Sequence, residues 1–204
     1  MTKVLGGLAL LLTLGCSEAM SQERTSAPPA GGGATPEEVF AMALEANRQG
    51  DLGTLVSLVA PSERGMVFLD VFDGAVEMCS QGAEDGVLLC EVLRRHGLDA
   101  AMAGSPAAVE AEYELEFDER QTQRKMRAST IFSDVDLASF APDLRNALVA
   151  LGAPDDDPLF AYERLDSLET DGDAAVGQEA DQRITFLREG GRWYLSWRAL
   201  MFGG

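Results

Sequence analysis

A single histidine, His96, and two lysines, Lys3 and Lys125, stand in a chain of 204 residues. One imidazole excludes any multi-histidine metal site, and Cys79 and Cys90 beside it lack zinc-ligand spacing. His96 follows Arg94 and Arg95, three residues after Leu93, and reads as a partly buried or surface histidine rather than a catalytic base. No G-x-S-x-G elbow and no phosphate-cradling glycine loop occurs, so hydrolase and nucleotide-binding readings lose their main support. Residues 169–181, ETDGDAAVGQEAD, offer no register with three alternating oxygen ligands, the loop glycine and the closing glutamate together. They read as an acidic surface loop, and no metal or cofactor is expected. Positive charge is scarce overall: the formal net charge is −18. Phosphate backbones repel such a body, which disfavours nucleic acid as a partner. Two readings of the charge stay open, the solubility of the body and the recruitment of a basic partner.

A long apolar run is also missing. Val4 to Gly15 holds only apolar or small residues and Thr13, about a dozen positions against the ~20 that a bilayer-crossing helix needs. With Lys3 before it and polar sequence after Cys16, the stretch has the layout of a secretory signal, residues 1–15. Thr13-Leu14-Gly15-Cys16 resembles the bacterial lipobox, in which the cysteine receives diacylglycerol and becomes the mature N-terminus. The resemblance implies lipidation at Cys16 and a place in the bacterial cell envelope. Ser17, rather than aspartate, after the cysteine resembles lipoproteins sent to the outer membrane of a two-membrane host. The alternative is an ordinary cleaved signal with an incidental cysteine.

Residues 16–34 lack large apolar side chains apart from Met20 and are rich in Ser, Pro, Gly and Ala, so they read as a tether. A flexible chain of that length spans roughly 20–25 Å. Residues 35–204 are long enough for one domain with a core, and 46% hydrophobic content fits a globular chain.

Cys79 and Cys90 remain for the body. On one continuous helix they would lie ~16 Å apart at ~1.5 Å per residue, whereas a disulfide needs Cα atoms ~4.4–6.8 Å apart. A bond therefore requires the chain to turn back, and SQGAEDG, residues 80–86, supplies such a turn. Both cysteines also fall on apolar stripes, so two free core cysteines are the other reading.

Helices come first in the chain. Thr35-Pro36-Glu37-Glu38 carries a capping residue, a proline at the first helical position and a glutamate that reaches back. Val39, Phe40, Ala43 and Leu44 form the buried face of that helix, and Gly50 ends it. Asp51 caps a second helix that stops at Pro61, and two further helices are expected at 63–79 and 86–102.

At residue 109 the period changes to that of a strand. VEAEYELEF puts Val109, Ala111, Tyr113, Leu115 and Phe117 on one face and four glutamates on the other. Residues 124–132 complete an expected hairpin, with Leu115 opposite Met126 and Tyr113 opposite Ala128 in its core, and Glu114 opposite Arg127 in water. A helix is expected at 142–151, an acidic turn at 154–158, and strands near 159–166 and 174–180. Residues 184–197 read as a hairpin about Gly190-Gly191, with Phe186 opposite Leu195, Leu187 opposite Tyr194 and Ile184 opposite Trp197.

An opening helix, a Gly50-Asp51 junction, a short second helix and a closing ITFLREGGRWYLSW hairpin resemble the nuclear transport factor two-like superfamily. The resemblance covers about residues 35–202. It implies a cone-shaped α+β fold, helices packed on a curved, mainly antiparallel sheet around an apolar cavity. Tyr113, Leu115, Phe117, Met126, Tyr194 and Trp197 are the candidates to line that cavity. Three roles follow: a non-catalytic module that binds a small apolar ligand or a protein partner, an isomerase or lyase with a cavity carboxylate and tyrosine, or a structural envelope lipoprotein without a pocket. No catalytic residue is assigned, because no acid falls at an apolar-face strand position.

Overall fold

Helix α1, Pro36–Gln49, begins where the capping pattern requires: Thr35 Oγ1 accepts from the Glu38 amide at 3.2 Å, and Gly50 closes the far end in the left-handed conformation. Asp51 caps α2, Leu52–Ser57, by accepting from the Thr54 amide and hydroxyl. The computed structural model describes residues 31–82, 84–153 and 160–201. The leader, Cys16 and the acidic turn at 154–158 lie outside the described residues.

The body is α+β, eight helices and one four-stranded antiparallel sheet among the described residues. After α2 come α3 (Met66–Gln81), α4 (Glu84–Arg95), α5 (Asp99–Tyr113), α6 (Phe117–Ile131) and α7 (Leu137–Ala150). Strands β1 (Ser167–Asp171), β2 (Ala174–Glu179), β3 (Gln182–Glu189) and β4 (Arg192–Leu195) follow in spatial order, and α8 (Arg198–Met201) closes the chain. No described helix is long and apolar enough to cross a membrane.

Several expectations need correction. Residues 109–117 and 124–132 form no strands; they fall in helices α5 and α6 and the turns that end them. Alanine and glutamate are strong helix formers and weak strand formers, and that propensity overrides the two-residue alternation. The stretch expected at 86–102 breaks at Gly97, whose φ of 75° ends α4 and lets α5 start afresh. Residues 160–166 are not a strand, and β1 begins only at Ser167. Helix α7 starts at Leu137 rather than 142, because Asp136 caps it by accepting from the Ala138 amide and the Ser139 hydroxyl.

The closing hairpin keeps its expected register at Phe186–Leu195 and Leu187–Tyr194. Gly190 and Gly191 turn it with φ of 57° and 81°. Trp197 lies past the end of the β4 ladder, so the Ile184–Trp197 pair is not formed. The free side of β4 is covered: Trp193 exchanges two backbone bonds with Gly33, and Val59 bridges Leu195. Gly32 and Gly33, at the end of the segment read as tether, are thus buried in the body. Residues 169–181 form the β1–β2 hairpin and the turn into β3.

The chain turns at Gly82, and α3 and α4 pack side by side. This brings the Cα atoms of Cys79 and Cys90 to 5.8 Å, joined as a disulfide.

Between α1 and the sheet, buried side chains pack together. Phe40 packs edge-on against Phe160 at 5.6 Å, above Ile184, Phe186 and Leu195, all of them buried. A second aromatic group, Phe68, Phe72, Phe132 and Phe140, fills the helical half.

Candidate functional site

Helices α5 and α6 carry few apolar side chains to hold them down: among their buried residues are Ser105, Glu112, Arg127 and Ala128. Charge takes the place of a core there. Arg127 donates to both oxygens of Asp73 on α3, at 2.7 and 2.6 Å, and to both oxygens of Glu112 on α5, at 2.6 and 3.2 Å. Ser105 donates its hydroxyl to Asp73 at 2.7 Å. Arg124 reaches Asp70 at 2.5 Å. Glycine at 65 permits the close approach: a Cβ there would stand 2.8 Å from the Ala128 carbonyl oxygen. Arg127 is only 8% exposed and Glu112 5%. Burial by itself disfavours the charged guanidinium, but hydrogen bonds and attraction from Asp73 and Glu112 outweigh it, and its pKa moves up. The Arg127 guanidinium therefore stays charged.

At the far end the two helices meet in a short acidic turn. Helix α5 ends at Tyr113, and Glu116 is extended before Phe117 starts α6. Arg120 braces the turn: its Nη2 donates to the carbonyls of Leu115 at 2.9 Å and Tyr113 at 3.3 Å, and its guanidinium lies 5.9 Å over the Tyr113 ring. Those bonds satisfy carbonyls that a helix end leaves without partners. Arg120 Nε is buried without a hydrogen-bond partner. Tyr113 is 73% exposed and Phe117 64%. Glu110, Glu114, Glu116, Asp118 and Glu119 are exposed around them. A cleft of about 430 Å³ runs from this tip along α3, past Arg120, Arg124 and Asp70.

The expected cavity-lining set is thus dispersed. Tyr113 and Phe117 point into solvent at the tip, Leu115 is half-buried between them, and Met126 is 55% exposed farther along α6. They do not line an interior cavity, because the elements that carry them are helices on the outside of α3. Tyr194 is buried beneath the Arg64 guanidinium, 5.9 Å from its ring centre, and Trp197 is buried beside Glu63. Only Phe117 and Trp197 of the six come together across a second, open groove.

A cavity acid is what the enzymatic reading needs. Glu63 is a buried carboxylate, and it accepts from Lys125 Nζ at 2.5 Å, Ser196 Oγ at 2.8 Å and the Trp197 amide at 3.2 Å. Glu112, the other buried acid among the described residues, is bound by Arg127. Glu112 lines the cleft of about 430 Å³ together with Tyr113, with both of its oxygens accepting from Arg127, and Glu63 lines a groove that holds no tyrosine among the described residues. Tyr162 donates its hydroxyl to the Arg183 carbonyl at 3.2 Å, and burial pushes its pKa up. His96 bonds Asp143 at 3.0 Å and packs edge-on against Phe140. No cluster of metal-ligating side chains occurs among the described residues.

Sequence reasoning missed Arg127, Asp73, Arg124 and Arg120. Their signal was helical spacing: Arg120, Arg124, Arg127, Ala128 and Ile131 recur at three and four residues, in a stripe made mainly of arginine. No family model matches the chain, and neither a curated protein nor a solved structure matches it.

Proposed function

We propose that this chain is a lipid-anchored protein of the bacterial envelope that works by binding a protein partner through the tip of α5 and α6. The observation that carries the reading is the pair Tyr113 and Phe117, exposed on a turn that Arg120 braces. Large aromatic side chains are the commonest energetic anchors of protein interfaces, and a turn fixed in advance lowers the entropy cost of binding. Five exposed acids around them select a partner with a basic rim and an apolar pocket. The same acids oppose insertion into an anionic lipid surface.

The buried packing of Phe40 and Phe160 with Ile184, Phe186 and Leu195 weighs against a small apolar ligand enclosed between α1 and the sheet. Kinship with the nuclear transport factor two-like cone is supported by α1, the Gly50-Asp51 junction, α2 and the closing hairpin. In that reading α3 to α7 are a helical elaboration, and the tip is its business end. The lipobox at Thr13 to Cys16 supports the anchor.

Both halves are testable in the host cell with the full chain. A photo-crosslinking residue at Tyr113 is expected to yield one discrete protein adduct that high salt diminishes and that the same probe at Arg48 does not give. Lack of such an adduct, or an equal one from Arg48, overturns the docking reading. An alkyne fatty acid should label the wild-type chain and not Cys16→Ser; equal labelling overturns the anchor.

A further inference from the structure

We propose that the groove between α6, β3 and α8 binds a small organic carboxylate carried on a flat apolar body. The groove shares Phe117 with the docking tip, but the proposal stands on Arg183, Arg198 and Trp197 and does not rest on that reading. Residues Phe117, Gln121 and Lys125, at four-residue spacing, face the groove, while Arg120, Arg124 and Arg127 face α3 and α5 on the other side of the same helix.

The groove has two joined compartments of about 680 and 460 Å³, both lined by Phe117, Gln121, Thr185, Trp197 and Arg198. Its apolar part is Phe117, the Trp197 indole, Ala199 and Leu187. Its inner end is closed by the Glu63–Lys125 pair, with Asp118 beside it. Its outer end holds Arg183 and Arg198.

The charge pattern selects the ligand. Acids outnumber Lys and Arg by 34 to 16, and an arginine without an acceptor is therefore unusual in this chain. Among the described residues Arg183, Arg188 and Arg198 have side chains with no carboxylate or carbonyl partner, and Arg183 and Arg198 line the one groove. Arg198 lies over the Trp197 ring at 5.8 Å, which leaves its guanidinium edge for an anion. Glu63 is held by Lys125, Ser196 and the Trp197 amide, and Asp118 stands beside it, so the inner end is acidic and an anion is received at the outer, arginine end. A planar guanidinium pairs best with a carboxylate through two parallel hydrogen bonds, and the rings of Phe117 and Trp197 suit a flat body.

The test is calorimetric titration of the full chain in lipid nanodiscs with 2-naphthoate, empty nanodiscs subtracted. Saturable binding is expected, at least about tenfold tighter than for the neutral isostere 2-naphthalenemethanol, since a charge-assisted hydrogen bond carries that difference. Arg183→Gln and Arg198→Gln, both at exposed positions, should each weaken naphthoate by about tenfold and leave the alcohol unchanged. No saturable binding, equal affinity for acid and alcohol, or an affinity that neither substitution changes overturns the proposal. Capture of a partner at Tyr113 is read separately, so either idea can fail alone.

Discussion

Arg127 and Asp73 join through two parallel hydrogen bonds, 2.7 and 2.6 Å, across 54 positions of sequence. This fork, with Glu112 on its other side, fixes α5 and α6 to α3 where few apolar contacts exist. Removing one member leaves buried charge without a partner, which costs about 3–5 kcal/mol. Arg127→Met should therefore lower the urea midpoint and speed hydrogen exchange throughout α5 and α6 more than in the sheet. Replacing Arg127, Asp73 and Glu112 together with apolar residues of similar volume should restore most of the loss, because the desolvation cost disappears with the charges. A single substitution that leaves exchange in α5 and α6 unchanged would show that the helices are held elsewhere.

That same fork explains what was legible in the sequence and what was not. The α1 cap at Thr35, the Gly50-Asp51 junction and the Gly190-Gly191 hairpin were readable because one short motif dictates each local conformation. Residues 109–132 escape a periodicity counted on apolar side chains, because the inward side of α6 carries Arg120, Arg124 and Arg127 beside Ala128. Glu112 belongs by sequence to a solvated glutamate row, yet it is buried by a partner fifteen residues on. Only the ion pair distinguishes it from Glu110 and Glu114. Tyr113 and Phe117, on the apolar face of the expected strand, face water and not an interior cavity.

The disulfide closes a loop with a sequence separation of 11. Loop-closure entropy for a ring of this size corresponds to roughly 2–3 kcal/mol. Cys79→Ala with Cys90→Ala should lower stability by about that amount. The effect should concentrate where α3 ends and α4 begins, since the sheet and α1 make no use of the bond. Comparison of urea midpoints with and without reductant checks it: reductant should shift the wild type and leave the double variant in place.

Asp143 accepts from His96 Nε2 and from Arg95 Nη1, each at 3.0 Å. The hydrogen bond from His96 first, then that from Arg95, holds its pKa below the ordinary value of 3.8. A carboxyl with a lowered folded pKa contributes its full stabilisation above the unfolded value and loses it as pH falls through the folded value. Asp143→Asn should thus cost stability near pH 5, on the order of 0.5 kcal/mol because the pair is partly exposed. Below pH 3.8 the gap to wild type should shrink. Paired urea titrations at about pH 5 and pH 2.5 measure it, and a gap that is constant with pH refutes the assignment.

Tyr113 and Phe117 should separate stability from recognition. Both side chains are largely in water, so Phe117→Ser should alter unfolding free energy by no more than about 0.5 kcal/mol. Tyr113→Ser also gives up the stack with Arg120 and should cost about 0.5–1 kcal/mol. Each should nonetheless reduce the yield of crosslink to the partner, measured from a probe placed at Glu110, by tenfold or more, about the loss of one interface hot spot. Made together, the two losses should be less than additive if one pocket on the partner receives both rings. Charge reversal by Glu114→Lys with Glu116→Lys acts differently. It should slow association and remove its salt dependence while the dissociation rate stays near wild type, since rim charges steer encounter more than they hold the complex. Unfolding curves and crosslink yields taken on the same preparations decide the matter: a variant that lowers capture only in proportion to its lost stability assigns the tip to folding rather than docking.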